Sequence, residues 1–254
     1  MNVILEAKQL NKVYTTGTNT SQQVLRDVSL AIGEGEFVSV MGPSGSGKST
    51  LLYSISGMDQ ITSGSIQFDG QDLAAMREEE LAALRLTKMG FIFQQSNLLK
   101  NLNLLDNILL SAYVAKRESR KTINERAQAL MDRLGIASLA DHDITQASGG
   151  QLQRVAICRA LINNPSILFG DEPTGALNSK ATGEVMDILA DINRSGTTIL
   201  LVTHDAKVAA KTERVIFMTD GMIAGEHKLG KYDSDADLKT RERELAVWLS
   251  SKGF

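Results

Sequence analysis

Nine residues, GPSGSGKST at positions 42–50, carry the clearest chemistry in the sequence. They fit the pattern G-x-x-x-x-G-K-[S/T], with the apolar run FVSVM before them and the helix-forming LLYSI after them. In that setting Gly42, Pro43, Ser44, Gly45, Ser46 and Gly47 make a loop whose consecutive backbone N–H groups point at phosphate oxygens. The helix that follows adds the positive end of its dipole. Lys48 then reaches the β- and γ-phosphates, Ser49 places its hydroxyl on Mg²⁺, and Thr50 completes the loop. A second stretch, SILFGDE at 166–172, supplies the carboxylates such a site needs. Asp171 ends an apolar strand and can hold Mg²⁺ through its water shell, while Glu172 can polarise an attacking water. Phosphoryl transfer asks a protein mainly for positioning and charge stabilisation, and this pair suits it. Taken alone, the two carboxylates could merely open the turn that Pro173, Thr174 and Gly175 continue.

Two polar residues stand at the ends of other apolar runs. His204 closes TTILLVTH, and Gln94 closes GFIFQ. Ligands of open α/β sheets bind along the carboxyl edge of the strands, so either residue could face a phosphate. His204 could equally cap a helix beginning near Asp205, and Gln94 carries the same ambiguity. A further stretch, ASGGQLQR at 147–154, has the spacing of a capping box between Ser148 and Gln151. Its first helical positions are Gly149 and Gly150, each costing about 1 kcal/mol in a helix relative to alanine. Bare glycines leave backbone N–H groups open to an anion, yet no lysine or metal-binding carboxylate is near in sequence. The site is either a weak cap or one half of a phosphate site completed elsewhere.

The elements that must position these residues can be read from periodicity. Strand-like runs occupy 3–14 and 24–32, separated by the polar loop TTGTNTSQQ, and recur at 37–41, 65–70 and 89–94. A charged helix falls at about 77–86. Strand character returns at 166–171, 197–204 and 214–218, with Ala181, Val185, Ile188, Leu189 and Ile192 on one helical face between the first two. Apolar strands alternating with helices imply an α/β fold with a buried parallel sheet. The block from about 95 to 160 is mostly helical and reads as an insertion. From 227 onward the chain is polar, then offers Leu238, Leu245, Trp248 and Leu249 as an amphipathic helix.

Composition bounds the alternatives. The chain has 254 residues, 43% hydrophobic and 22% charged, which suits a globular protein with a substantial core. A net charge of −3 gives no overall reason to expect a nucleic-acid partner. The one cysteine, Cys158, cannot form an internal disulfide and is expected as a buried, inert thiol in a reducing compartment. The first residues, MNVILEAKQLNK, do not read as a signal peptide, and no apolar run approaches the ~18 residues of a membrane span. A cytoplasmic protein that meets a membrane only through a partner is the expectation.

In order and spacing, GPSGSGKST, ASGGQLQR, ILFGDEPTGALN and LLVTHD resemble the ATP-binding subunit of ABC transporters, over about residues 3–226. The resemblance implies a P-loop NTPase core of mainly parallel sheet flanked by helices, an antiparallel β subdomain and the inserted helical subdomain. Residues 227–254 would be a C-terminal extension. It also implies head-to-tail pairing of two such subunits, ATP on one loop being covered by Ser148, Gly149, Gly150 and Gln151 of the other. Position by position, it assigns Tyr14 to stacking on adenine, where the bare sequence would offer only a strand aromatic. Gln94 goes to Mg²⁺, the attacking water and the sensing of a membrane permease. Glu172 becomes the catalytic carboxylate, His204 the γ-phosphate switch, and Ser49 and Asp171 the remaining metal contacts. Ala147 stands where the family commonly has leucine, and Asn178 where it usually has an aspartate linking the two sites. Asn178 is also a good N-cap for a helix over 179–194. The segments FIFQQSNLL, DEPTGALNSK and the C-terminal REREL are most similar to subunits serving macrolide export, lipoprotein release and antimicrobial-peptide resistance. A mechanical or signalling ATPase of an envelope complex, without transport, is the competing expectation.

Overall fold

The computed structural model describes residues 2–16, 20–232 and 235–254. Its first layer is an antiparallel sheet in the order β2-β1-β4-β5, built from β1 (Val3–Thr16), β2 (Thr20–Gly33), β4 (Ser63–Phe68) and β5 (Gln71–Asp72). β1 and β2 pair out to Thr16 and Thr20, so the strands run well into the stretch expected as a surface loop. Residues 17–19 of that loop lie outside the described residues.

The second sheet follows the order β10-β9-β3-β8-β7-β6. Its parallel strands are β3 (Phe37–Met41), β6 (Met89–Phe93), β7 (Ile167–Asp171), β8 (Thr198–Val202) and β9 (Arg214–Thr219). Strands β3 and β8 are buried along their whole length, as expected of a sheet covered on both faces. Five of the expected strands thus appear within a residue or two of their predicted ends.

Strand β10 (Met222–Lys228) was not anticipated. It returns antiparallel from β9 through Asp220-Gly221, both at positive φ (49° and 78°). That is a two-residue hairpin turn of the type Asp-Gly favours. Because β10 runs to Lys228, the boundary expected between residues 226 and 227 falls inside a strand.

One face of the parallel sheet carries α1 (Lys48–Ile55) and the antiparallel sheet, sharing a core that includes Leu5, Leu25, Leu51, Ile55 and Phe169. The other face carries α6 (Ser179–Arg194) and the inserted helices α3 (Leu104–Ala115), α4 (Arg120–Arg133) and α5 (Gly149–Leu161). The apolar positions foreseen on α6 do this work, with Val185, Leu189 and Ile192 buried. α2 (Glu78–Lys88) precedes β6, and the short α7 (Ala206–Ala209) follows β8. Cys158 is fully buried in the helical core, and burial pushes its thiol up to about 12, so it is inert.

The last helix, α8 (Leu238–Ser251), docks on the chain's own sheet. Leu245 and Leu249 pack with Met41, Val215 and Phe217, and Trp248 meets Phe217 edge-on at 6.2 Å between ring centroids. A buried arginine fixes its position. The Arg241 guanidinium donates to the carbonyls of Ala210, Thr212, Leu229, Gly230 and Lys231, at 2.8–3.3 Å. Leaving such buried carbonyls unpaired is costly. Arg241→Ala is expected to lower unfolding free energy by about 2–4 kcal/mol, read from urea denaturation. A loss below ~0.5 kcal/mol, the range of an ordinary surface substitution, would mean that water replaces the guanidinium freely.

Candidate functional site

Parallel pairing sets where the site forms. Met41 of β3 is level with Phe217, Val40 with Val202, Val202 with Asp171, and Asp171 with Phe93. The carboxyl ends of β3, β8, β7 and β6 therefore share one edge. The residues just past those ends are Gly42, His204, Glu172 and Gln94.

The loop after β3 turns on glycines at positive φ. Gly45 and Gly47 lie at 79° and 95°, and Gly42 at 150°. At Gly42 an added Cβ would fall 2.0 Å from the Met218 carbonyl oxygen, a contact no side chain can relieve. Helix α1 starts at Lys48, whose ammonium folds back over the loop to donate to the carbonyls of Gly42 (2.9 Å) and Pro43 (2.8 Å). Burial pushes the Lys48 ammonium below lysine's usual range, against the opposing pull of Glu172 and Asp171.

Asp171 is held from both sides. Ser49 donates its hydroxyl to Oδ1 (2.8 Å) and Tyr53 its phenol to Oδ2 (2.5 Å). Ser49 and Tyr53 are i and i+4 on α1, so one helix face grips the carboxylate. Burial and this bond both raise the Tyr53 phenol well above its ordinary range, which keeps it a donor. Sequence reasoning missed Tyr53, although its four-residue spacing from Ser49 was a usable signal.

Glu172 adopts φ 48°, uncommon for a residue with a side chain, and its N–H donates to the Val202 carbonyl (2.9 Å). This turns its side chain toward His204, whose Nδ1 lies 3.1 Å from Glu172 Oε1. Both residues line a cleft of about 690 Å³ with Ser44, Lys48, Ser49 and Thr50. Gln94 stands across the neighbouring strand end and packs near Gly175, where an added Cβ would meet its amide nitrogen at 2.9 Å. Tyr14 of β1 pairs with Gln22 of β2, which lines the same cleft, and donates its phenol to Asp59 at 2.5 Å.

The ASGGQ stretch folds as its spacing implied but elsewhere. Ser148 caps α5, and the reciprocal bond from its N–H to Gln151 Oε1 is 2.8 Å. Gly150 has a local reason to be small, since a Cβ there would crowd Ala181 at 3.2 Å, whereas a Cβ on Gly149 would make only an ordinary contact with Leu177 at 3.6 Å. Asn178 caps α6 by accepting from the Ala181 N–H at 2.9 Å. Ser148 and Gly149 are exposed, and residues 148–151 are not among those lining the cleft of their own chain.

A phosphate loop on the edge of a parallel sheet, with a carboxylate pair at the end of β7 and a separate glycine-headed helix, defines an ATP-binding cassette. The chain belongs to the ABC transporter family: the family profile matches residues 25–175. It is an ATP-binding ATPase related to macrolide and bacitracin exporters. It is 44% identical over 225 residues to the macrolide export ATP-binding/permease protein MacB of Syntrophobacter fumaroxidans, covering 88% of this chain and 31% of that protein. Identity to the bacitracin export ATP-binding protein BceA of Halalkalibacterium halodurans is 43%, over 87% of each. YknY of Bacillus subtilis, an uncharacterized ABC transporter ATP-binding protein, is 40% identical over 90% of this chain and its own full length. Among solved structures, the dimeric post-hydrolysis state of the cassette MJ0796 with ADP and Pi superposes with a TM-score of 0.82. That match is 41% identical and covers 89% of this chain and 98% of the other.

The Gly42 contact makes a direct test of the loop. Gly42→Ala forces a shift of the loop or of β9, and strain of ~1–3 kcal/mol, borne by the binding conformation, corresponds to roughly a 5- to 150-fold loss of ATP affinity. Titration calorimetry giving wild-type affinity would show that the loop has room that its geometry denies.

Proposed function

We propose that this chain is the motor subunit of a bacterial transporter, working as a head-to-tail pair beneath a membrane permease of the peptide-resistance or macrolide-export kind. The observation that carries the reading is the separation, within one chain, of residues 148–151 from the phosphate loop they would serve. Two copies facing opposite ways place each glycine-headed helix over the other copy's triphosphate, and the dimeric MJ0796 structures support that arrangement. Similarity to BceA and MacB supports the type of permease. No helix among the described residues is long and apolar enough to cross a membrane, so the permease would supply the span and hold the pair at the cytoplasmic face. Leu99, Leu110 and Val114, large apolar side chains exposed in the helical region and the loop after Gln94, are suited to that contact. Helix α8 stays on its own subunit, clamped by Arg241.

Within each site, Lys48 exchanges its two carbonyl partners for β- and γ-phosphate oxygens, while the loop N–H groups take the remaining ones. Ser49, Asp171 and Gln94 would hold Mg²⁺. The donor set fits, because the Ser49 hydroxyl and the Asp171 carboxylate already lie together at the loop, 2.8 Å apart. One hydroxyl, one carboxylate and one amide oxygen suit an ion that keeps several waters. Bound there, Mg²⁺ would supply charge neutralisation at the phosphates. Glu172 accepts a hydrogen bond from the attacking water, and His204 steadies Glu172 while facing the γ-phosphate. Tyr14 stacks on the adenine.

Glu172→Gln is expected to bind ATP, turn it over at least about a hundredfold more slowly, and sediment as a dimer only with ATP present. Adding Ser148→Arg should abolish that dimer while leaving monomer binding intact. Wild-type turnover in the first variant, or an ATP dimer that survives the second, would sink the reading. Asn178→Asp asks a finer question, because aspartate caps a helix as well as asparagine does. A changed Hill slope for ATP hydrolysis in the assembled transporter is expected; an unchanged rate and slope would leave residue 178 as a cap only.

A further inference from the structure

Next to Tyr14, two side chains that the nucleotide reading does not use close a small arrangement around its ring. Lys12, only 7% exposed, points its ammonium at Asp59 Oδ1 and at the Gln60 carbonyl, each at 2.5 Å. The same carboxylate takes the Tyr14 phenol on its other oxygen at 2.5 Å. The Lys12 ammonium also sits 4.6 Å from the centre of the Tyr14 ring. One carboxylate thus binds both the ring's hydroxyl and the cation that covers one face of the ring.

Asp59 is not on a loose loop. Helix α1 closes with the N–H groups of Met58 and Asp59 both donating to the Tyr53 carbonyl, at 2.9 and 3.1 Å, across Gly57 at φ 68°. From there the chain runs beside β1: Val13 donates to Thr62 Oγ1 (2.9 Å) and Thr62 donates to the Asn11 carbonyl (2.9 Å). The helix that opens at the phosphate loop therefore ends at the residue that holds the aromatic ring.

A tyrosine that is 40% exposed has two side-chain torsions free unless something fixes them. Here the hydroxyl is tethered to Asp59 and the Lys12 ammonium lies over one face of the ring, leaving one face that the cation does not cover. We propose that Lys12 and Asp59 are positioning residues for the base of the nucleotide. They hold Tyr14 so that only its open face is offered to a purine at a fixed distance from the triphosphate. This rests on the reading of Tyr14 as the adenine platform.

The pair acts on the base and not on the phosphates, which gives a readout that a merely structural ion pair would not share. Binding of ATP and of inorganic triphosphate, each with Mg²⁺, is measured by calorimetry on the intact chain. Tyr14→Ala is expected to weaken ATP roughly tenfold, within the range of base–aromatic stacking, and to leave triphosphate within twofold. Asp59→Asn and Tyr14→Phe each remove the tether and are expected to weaken ATP about threefold to fivefold, again sparing triphosphate. Lys12→Met uncovers the second face, with an expected loss of about threefold. Equal losses for ATP and triphosphate in Asp59→Asn and Lys12→Met would make the pair a plain brace of the fold and overturn the inference. So would unchanged ATP affinity in these variants when Tyr14→Ala weakens it. If Tyr14→Ala itself leaves ATP affinity untouched, it is the adenine platform that fails.

Discussion

The register of the parallel strands is the constraint from which the site follows. β3, β8, β7 and β6 are hydrogen-bonded so that Val40, Val202, Asp171 and Phe93 stand level. A slip of one residue in any of these pairings would turn buried side chains to the opposite face of a sheet covered on both sides. The core therefore defends the register, and the register delivers the phosphate loop, two carboxylates, a histidine and a glutamine to one edge. No residue at that edge needs to be held there by its own bonding alone. The placement of these side chains is a by-product of packing Val, Ile, Leu and Phe in the strands beneath.

Two polar connections join the antiparallel sheet to this core. Arg214 makes a bidentate pair with Glu36 (2.6 and 2.9 Å), a further bond to Glu226 and one to the Ala31 carbonyl. Burying these charges is tolerable because each hydrogen-bonding group has a partner. At the other end, Gly221 accepts from the Arg26 N–H (2.9 Å) and donates to the Ser46 carbonyl (3.2 Å). A Cβ on Gly221 would lie 2.2 Å from the Val24 carbonyl, so the β9–β10 turn can touch β2 and the phosphate loop only as glycine. The sheet that bears Tyr14 is thereby fixed relative to the loop it serves.

What the sequence made legible divides along a physical line. The phosphate loop, the Asp171–Glu172 pair and the Ser148 cap are contiguous in sequence because backbone geometry demands neighbours, so spacing alone exposed them. The buried strands were legible because burial on both faces leaves unbroken apolar runs. β10 escaped because, as an edge strand, it buries little: its residues alternate between exposed and half-buried, and its composition reads as polar tail. The Asp220-Gly221 turn was the signal available. Lys12, Asp59 and Tyr53 escaped for another reason. Their partners are 47, 45 and 118 residues away, and a pairing across such distances is fixed by topology, which no local pattern encodes.

The glycines at the head of α5 bring these threads together. A helix start weakened by about 2 kcal/mol is hard to justify by local needs alone. Local packing explains part of it, since a Cβ on Gly150 would crowd Ala181 of α6. That proximity sets the start of α5 beside the first turn of α6, which Asn178 caps, forming one corner from residues 148–151 and the turn after Glu172. Helix N-termini attract anions, and this one is exposed and takes no part in lining its own chain's cleft. On the proposed head-to-tail reading, a triphosphate engaged at that corner presses on the segment that runs back through Leu177 and Thr174 to Glu172. Gly150 would then serve twice, admitting a partner's phosphate on one side and letting α6 approach on the other. A larger residue there would spoil both uses at once.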